Sequence, residues 1–209
     1  PEIAVITNIG TSHMQNLGNR RGICRAKLEV LCGLKKGGYL ILNGDQPILS
    51  CVSGRSYHTL YVSLKRPNAD FFAQNIRVEV GGTYFEVVHK GVTYPDFYIP
   101  VSGRHNVWAA LYAFAVGTLQ GLDAEQIKNG LAKFTGAHRR FEYKGKIKNI
   151  ANVYDDYGHH PTEIIATAKS LMNKKYNESW VIFQPHTYSR TKNLLDDFAK
   201  ALNNFDNII

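Results

Sequence analysis

Two separate stretches of alternating strands and helices constrain the fold of this chain more than any other feature. In the first, residues 3–7 (I-A-V-I-T) form an apolar, β-branched run that is typical of a buried parallel strand. Apolar residues then recur at helical spacing over residues 21–34, and residues 39–42 predict a second buried strand. A strand, a helix and a strand at this spacing predict a βαβ unit.

An antiparallel region is expected next. Four segments alternate apolar and polar side chains, namely residues 57–62, 71–80, 83–89 and 92–99. Glycines 81, 82 and 91 fall where tight hairpin turns would connect them. Residues 103–106 open a helix that reaches about residue 120, and Asp123 with Gln126 predicts a capping box at the start of another.

The second alternating stretch follows a segment without periodicity. Residues 135–142 carry Arg139 and Arg140 and are interpreted as a linker. Beyond them, strands are predicted at residues 150–154 and 180–183 and helices at 162–172 and 194–202, which favours a second parallel sheet. The next strand begins only at Ile208, so we expect this domain to be truncated.

The predicted fold class is therefore α/β. Residues 1–134 form a parallel-sheet domain with an antiparallel hairpin layer, residues 135–142 link it to a second domain, and residues 143–209 begin a Rossmann-like α/β domain.

Composition and charge narrow the possible partners. The 209 residues include 25 Lys and Arg against 17 Asp and Glu, a formal net charge of +8 that favours an anionic partner. The basic residues are scattered and form no nucleic-acid module, so small phosphorylated ligands explain the excess better than nucleic acid. No apolar run reaches the ~20 residues of a membrane-spanning helix. The start lacks a signal peptide and the cysteine count is odd, so we expect a cytoplasmic protein without a membrane partner.

Polar clusters follow four of the predicted strands, at the edge where open parallel sheets bind ligands. They comprise residues 8–13, 43–45, 155–160 and 184–190. The densest belongs to D-D-Y-G-H-H-P-T-E at residues 155–163, where carboxylates suit ribose or a hard cation and histidines suit metal binding or proton transfer. An ordinary helix start is the alternative explanation for this cluster.

Other candidates are open to two interpretations each. Arg190 and the neighbouring hydroxyls suit a carboxylate or phosphate cradle, but a capped helix start explains them equally well. Lys27 lies among apolar helix positions, as either a snorkelling or a chemically modified lysine would. His13 could bind a metal, although a single histidine is more often structural. The sequence contains no G-x-x-x-x-G-K-[ST] loop to cradle a triphosphate.

These motifs resemble those of the Mur ligases, the ATP-dependent amide-forming enzymes of bacterial cell-wall precursor synthesis. The first 134 residues resemble the central domain of the D-alanyl-D-alanine-adding member, through T-N-I-G-T-S-H at 7–13, R-A-K-L-E at 25–29, L-N-G-D at 42–45 and G-R-H-N at 103–106. From residue 135 the chain resembles UDP-N-acetylmuramate–L-alanine ligase, through H-R-R-F-E at 138–142, D-D-Y-G-H-H-P-T-E at 155–163 and F-Q-P-H-T-Y-S-R-T at 183–191. A chimaera, a divergent member and an engineered protein are all open explanations.

The resemblance implies a role for individual residues. His13 and a carbamoylated Lys27 would bind Mg²⁺, and Arg140 would reach the ATP phosphates, which makes these three the implied catalytic residues.

His105 and Asn106 would lie near the adenine, while Asp156 would hold the ribose. The implied substrate-binding residues are His159, His160, His186 and Arg190. Ala109 stands where the family has a second asparagine, so the adenine contact is expected to be weaker.

The implied activity is the addition of L-alanine to UDP-N-acetylmuramate through an acyl phosphate, with ATP and Mg²⁺ as cofactors. The partners would be a nucleotide sugar of this type and an amino acid or dipeptide. Addition of D-alanyl-D-alanine is one alternative, and a non-catalytic nucleotide- or UDP-sugar-binding module is another. Because the sequence has no P-loop, we expect the isolated chain to be inactive. We also expect the two domains to turn their polar edges toward a common gap.

Overall fold

The computed structural model describes residues 1–10, 17–79, 81–101, 103–172 and 174–209. The chain divides into two units, Pro1–Phe134 and Thr135–Ile209. Both combine helices and strands, so the predicted α/β class is confirmed. Within the described residues, no helix has the length and apolar character needed to cross a membrane.

The first unit is built on one six-stranded sheet with the order β1-β2-β3-β4-β5-β6. Its elements are β1 (Ile3–Ile6), α1 (Arg20–Leu28), a 3₁₀ helix (Glu29–Gly33), β2 (Tyr39–Asn43), β3 (His58–Ser63), β4 (Phe71–Glu79), β5 (Gly82–His89), β6 (Val92–Ile99), α2 (Arg104–Leu119) and α3 (Ala124–Ala132).

The sheet is mixed, with parallel pairing from β1 to β4 and antiparallel pairing from β4 to β6. The predicted hairpins are therefore present, and they continue the parallel strands through the pairing of Val62 with Phe71. The strand near residues 57–62, which we grouped with the antiparallel segments, instead pairs parallel with β2. Alternation of apolar and polar residues indicates a strand with unequal faces but does not determine its direction.

The central strands are buried on both faces. Leu40, Ile41 and Leu42 of β2 are all 0% exposed. Since successive side chains point to opposite faces, Ile41 packs in the cluster that includes α2, while Leu40 and Leu42 pack with Ile23 of α1. Burial on both faces explains why β2 appears in the sequence as a continuous apolar run.

The helix predicted over residues 21–34 is split into two parts. It is α-helical to Leu28 and then continues as the 3₁₀ helix. Side chains three residues apart eclipse one another in a 3₁₀ helix. The tighter winding therefore places Leu28, Leu31 and Leu34 on one side, and all three pack against the same core cluster.

Hydrogen bonds join the carboxyl ends of the parallel strands to each other and to α2. The Asp45 carboxylate, just beyond β2, accepts from the Leu64 N–H (2.8 Å), the Trp108 indole N–H (3.1 Å) and the Ser63 hydroxyl. The carbonyl of Thr7, just beyond β1, accepts from the hydroxyl of Tyr112 (3.0 Å). These contacts fix the loops after β1, β2 and β3 against one helix.

The second unit contains two small sheets. Its elements are β7 (Glu142–Ile147), β8 (Ala151–Asp155), α4 (Pro161–Met172), β9 (Trp180–Val181), α5 (Tyr188–Asn193), α6 (Leu195–Leu202) and β10 (Asn207–Ile208). β9 and β10 pair parallel, as the alternating pattern predicts. The strand predicted at residues 150–154 is β8, but it forms an antiparallel hairpin with β7 instead of joining the parallel pair, because the pattern of a strand does not determine its partner. β7 was not predicted from the sequence, because its E-Y-K-G-K-I sequence is polar and contains a glycine.

We predict that Asp45→Asn destabilises the first unit. An amide offers one acceptor oxygen where the carboxylate offers two, so one buried donor loses its partner at a cost of about 1–2 kcal/mol in the free energy of unfolding. Urea unfolding measures this difference. The matched control is Asp96→Asn at an exposed position of β6 where the register with β5 shifts, with φ of 60°, a conformation that asparagine tolerates well. Equal stability of the two variants would contradict the structural role of Asp45.

Candidate functional site

Lys27 reaches from α1 to the loop that follows β1. Its ammonium group donates to the main-chain oxygen of Asn8 at 2.8 Å and lies 3.4 Å from the side-chain oxygen of the same residue. Ile23 and Cys24 on the same helix are buried, whereas Lys27 is exposed. The lysine is therefore available for chemistry beside a loop that continues toward His13. His13 itself lies outside the described residues.

The donor groups near Lys27 test the expected magnesium site. Among the residues that the structure describes, no three His, Cys, Asp or Glu side chains lie close enough to hold a metal ion together. An ammonium group cannot bind a cation, but a carbamate on the same nitrogen would supply an anionic oxygen, which Mg²⁺ prefers. The carbamate would keep one N–H to donate to Asn8. Lys27 thus fits the metal only in its modified form.

The start of α2 carries the two residues expected near adenine. His105 is exposed and Asn106 half-buried, and the main-chain N–H of Asn106 donates to the carbonyl of Gly103 at 3.0 Å. Gly103 has φ of 121°, and a Cβ there would lie 2.7 Å from the His105 ring. Glycine is therefore required at this position for the turn into α2. Through Trp108, the same helix is attached to the loop after β2.

Glu163 organises the histidine motif of the second unit. One carboxylate oxygen accepts from the His159 main-chain N–H at 2.9 Å, and the other lies 3.6 Å from the Arg140 guanidinium. Burial alone would raise the pKa of Glu163, but the His159 N–H, the His159 ring and Arg140 together hold this pKa below its usual value. Glu163 is therefore ionised at neutral pH. The site residues predicted from the sequence did not include it, although its place in the first turn of α4, after two histidines, was a usable signal.

Asp156 accepts three hydrogen bonds from within its own unit. They come from the main-chain N–H of Phe141 (2.9 Å), the N–H of Gly158 (2.6 Å) and the hydroxyl of Thr167 (3.0 Å). The side chain therefore ties the segment that carries Arg140 to α4. A ribose contact of Asp156 stays a prediction, and in this structure it would have to share an already occupied carboxylate.

The remaining predicted substrate-binding residues occupy two neighbouring loops. Arg190 on α5 lies 3.5 Å from the carbonyl of His159, so the loops after β8 and β9 meet. The ring of His160 contacts the hydroxyl of Thr162 at 2.9 Å. His186 is exposed and lines an open cleft with Tyr188 and other residues of its loop. These side chains can present one guanidinium and three imidazoles to an anionic ligand.

Arg139 is engaged beside this cluster. Its guanidinium lies 3.4 Å from the Asp155 carboxylate and 4.8 Å from the centre of the Tyr157 ring. The two arginines of the motif therefore have different partners, and Arg140 is the one whose guanidinium contacts Glu163. The expectation that the polar edges of the two units face a common gap stays a prediction.

Two family descriptions match this chain in succession. The Mur ligase middle domain matches residues 1–117, and the Mur ligase glutamate ligase domain matches residues 139–209. The chain belongs to the Mur ligase family. The resemblance in its motifs is thereby confirmed.

Known Mur ligases align with the whole chain. The UDP-N-acetylmuramate–L-alanine ligases of Acetivibrio thermocellus and Dictyoglomus turgidum are 37% identical over 211 residues and 38% identical over 214 residues. Each alignment covers 100% of this chain and 45% of the relative, so the chain spans about half the length of these relatives.

Solved structures show the same architecture. MurF from Acinetobacter baumannii has a TM-score of 0.78 at 26% identity, and covers 100% of this chain and 46% of its own. UDP-N-acetylmuramate–alanine ligase MurC from Thermotoga maritima has a TM-score of 0.75, also at 26% identity, and the match covers 100% of this chain and 45% of that structure's chain.

Acid is predicted to destabilise the second unit through Glu142. The Arg139 N–H, Lys144 and His138 lower the pKa of Glu142 from 4.5 to about 2. A lowered folded-state pKa contributes stability above the unfolded value, and this contribution disappears as the pH falls toward the folded value. Urea unfolding between about pH 5 and about pH 2 should therefore show a steeper loss for the unmodified chain than for Glu142→Gln. Parallel pH profiles would contradict this assignment.

Proposed function

We propose that this chain is part of an ATP-dependent ligase that adds L-alanine to UDP-N-acetylmuramate. The observation that carries the proposal is the alignment of the whole chain with ligases of that name, at 37% identity over 211 residues. The alignment includes both the first unit and the histidine motif of the second. The substrate carboxylate would be activated as an acyl phosphate before the amino group of alanine attacks it.

The first unit is proposed to hold the adenine end of the nucleotide. His105 and Asn106 begin α2, whose attachment to the loops after β1 and β2 keeps its position fixed. Ala109 supplies no amide where the family has one, so we expect a weaker adenine contact.

Three residues are proposed to act on the phosphates of the nucleotide. Bound Mg²⁺–ATP would supply the transferable phosphoryl group. Lys27, once carbamoylated, and His13 would hold the metal, and Arg140 would neutralise charge that develops on the phosphates during transfer. Arg140 is suited to this task because its side chain is 54% exposed and its guanidinium lies as far as 3.6 Å from the Glu163 carboxylate.

The loops of the second unit are proposed to bind the substrates. Arg190 offers a guanidinium that can take a carboxylate in a bidentate manner. His159, His160 and His186 offer imidazoles that can donate hydrogen bonds or accept a proton from an attacking amine. Asp156 is proposed to contact the ribose while it keeps the turn after β8 in place.

Addition of D-alanyl-D-alanine is the second candidate activity. It is favoured by the structural likeness to MurF, with a TM-score of 0.78, and by the motifs of the first unit. We also propose a cytoplasmic location, with neither nucleic acid nor a membrane as partner, because the small anionic substrates account for the positive charge. A non-catalytic nucleotide- or UDP-sugar-binding role would apply to the chain in isolation.

Phosphate release distinguishes these proposals. The full-length protein that contains this chain should release phosphate from ATP when UDP-N-acetylmuramate and L-alanine are both present. The isolated 209 residues should release none, because they contain no P-loop to hold the triphosphate. Release that depends on D-alanyl-D-alanine and a peptide-bearing nucleotide sugar would favour the second candidate. Turnover by the isolated chain would contradict its predicted inactivity.

A further inference from the structure

We propose that Glu163 is a positioning residue that orients the guanidinium of Arg140 toward the phosphates of a bound nucleotide. The inference rests on the proposed role of Arg140 and concerns a residue to which the family motifs gave no role in the sequence analysis.

The main chain on both sides of Arg140 is held by carboxylates. Arg139 and Phe141 have φ of 56° and 48°, in the left-handed region that such residues seldom adopt. The N–H of Arg139 donates to Glu142 at 2.8 Å, and the N–H of Phe141 donates to Asp156 at 2.9 Å. The main-chain position of Arg140 is therefore fixed by hydrogen bonds within the second unit.

Glu163 then restrains the far end of that side chain. Its Oε2 accepts the His159 N–H at 2.9 Å, which holds the carboxylate in place. Its Oε1 lies 3.6 Å from Nη1 of Arg140. Because Glu163 is one-third exposed and Arg140 about half exposed, the other N–H groups of the guanidinium stay accessible to an anion. A side chain that is already restrained, and that still has N–H groups free to donate, loses less conformational freedom on binding phosphate than an unrestrained one does.

A local structural role for Glu163 makes a different prediction from a positioning role. If Glu163 served only the loop that carries His159, its removal would weaken ligand binding whether or not residue 140 is an arginine. If it acts through Arg140, the two substitutions must be coupled, since residues of one contact network are non-additive.

The experiment is a double-mutant cycle on the 209-residue chain, in which NMR titration measures the dissociation constant of Mg²⁺–ADP. Glu163→Gln keeps an acceptor for the His159 N–H and removes the charge that faces Arg140. It should raise the dissociation constant about threefold, the scale of a partly exposed ion pair. In an Arg140→Gln background the same change should have no effect. The control Glu125→Gln removes an exposed carboxylate that pairs with Lys128 in the first unit, and it should change nothing.

A second measurement needs no substitution. In the nucleotide-free chain, the Nε–Hε group of Arg140 should show restrained motion by ¹⁵N relaxation, in contrast to that of exposed Arg104. Free rotation of Arg140 would overturn the inference even if Glu163→Gln failed to fold. An equal loss of affinity in the Arg140→Gln background would also overturn it, as would tighter binding by Glu163→Gln.

The two proposals fail in different ways. If the unmodified chain binds ADP and Glu163→Gln binds it equally well, only the positioning role is wrong. If Arg140 is restrained but the unmodified chain shows no ADP binding, the nucleotide role of the site is wrong and the positioning role is overturned with it.

Discussion

Asp45 accepts hydrogen bonds from two neighbouring segments, and the polar edge of the first unit depends on this half-buried carboxylate. The last four residues of the strand before it, Leu40 to Asn43, are buried, so the main-chain polar groups at the end of this strand need hydrogen-bond partners within the protein. The Asp45 carboxylate accepts hydrogen bonds from the Leu64 N–H and the Trp108 indole N–H, and the second of these holds α2 against the sheet. Because the same helix begins with His105 and Asn106, a contact that stabilises the fold also sets the position of the candidate nucleotide site.

The sequence was sufficient to predict an element where its side-chain pattern is compatible with only one structure. The apolar run of β2 and the capping box at Asp123 and Gln126 both appear as predicted. It was insufficient where the structure of a segment depends on which strands pair. The direction of β3 depends on its neighbours, and β7 is stabilised by pairing with β8 despite its polar composition. A period of two residues describes the faces of a strand, but it carries no information about its partner.

The candidate site was predictable in its location but not in its connections. The motif at residues 155–163 gives a compact group at the end of β8, yet the sequence does not reveal that Asp156 binds the N–H of Phe141 or that Glu163 faces Arg140. Such contacts arise from two chain segments that fold together. Although the motifs of the two halves resemble those of different Mur ligases, alignments with UDP-N-acetylmuramate–L-alanine ligases extend through both units.

The central proposal is that two segments bind a nucleotide, the start of α2 in the first unit and the loop after β8 in the second. Amide hydrogen exchange of the chain with and without Mg²⁺–ADP tests it most directly, because it reports on each unit separately. The account predicts slower exchange at the start of α2, residues 103–106, and in the loop of residues 155–160. Protection confined to one unit, or absent from both segments, would contradict it.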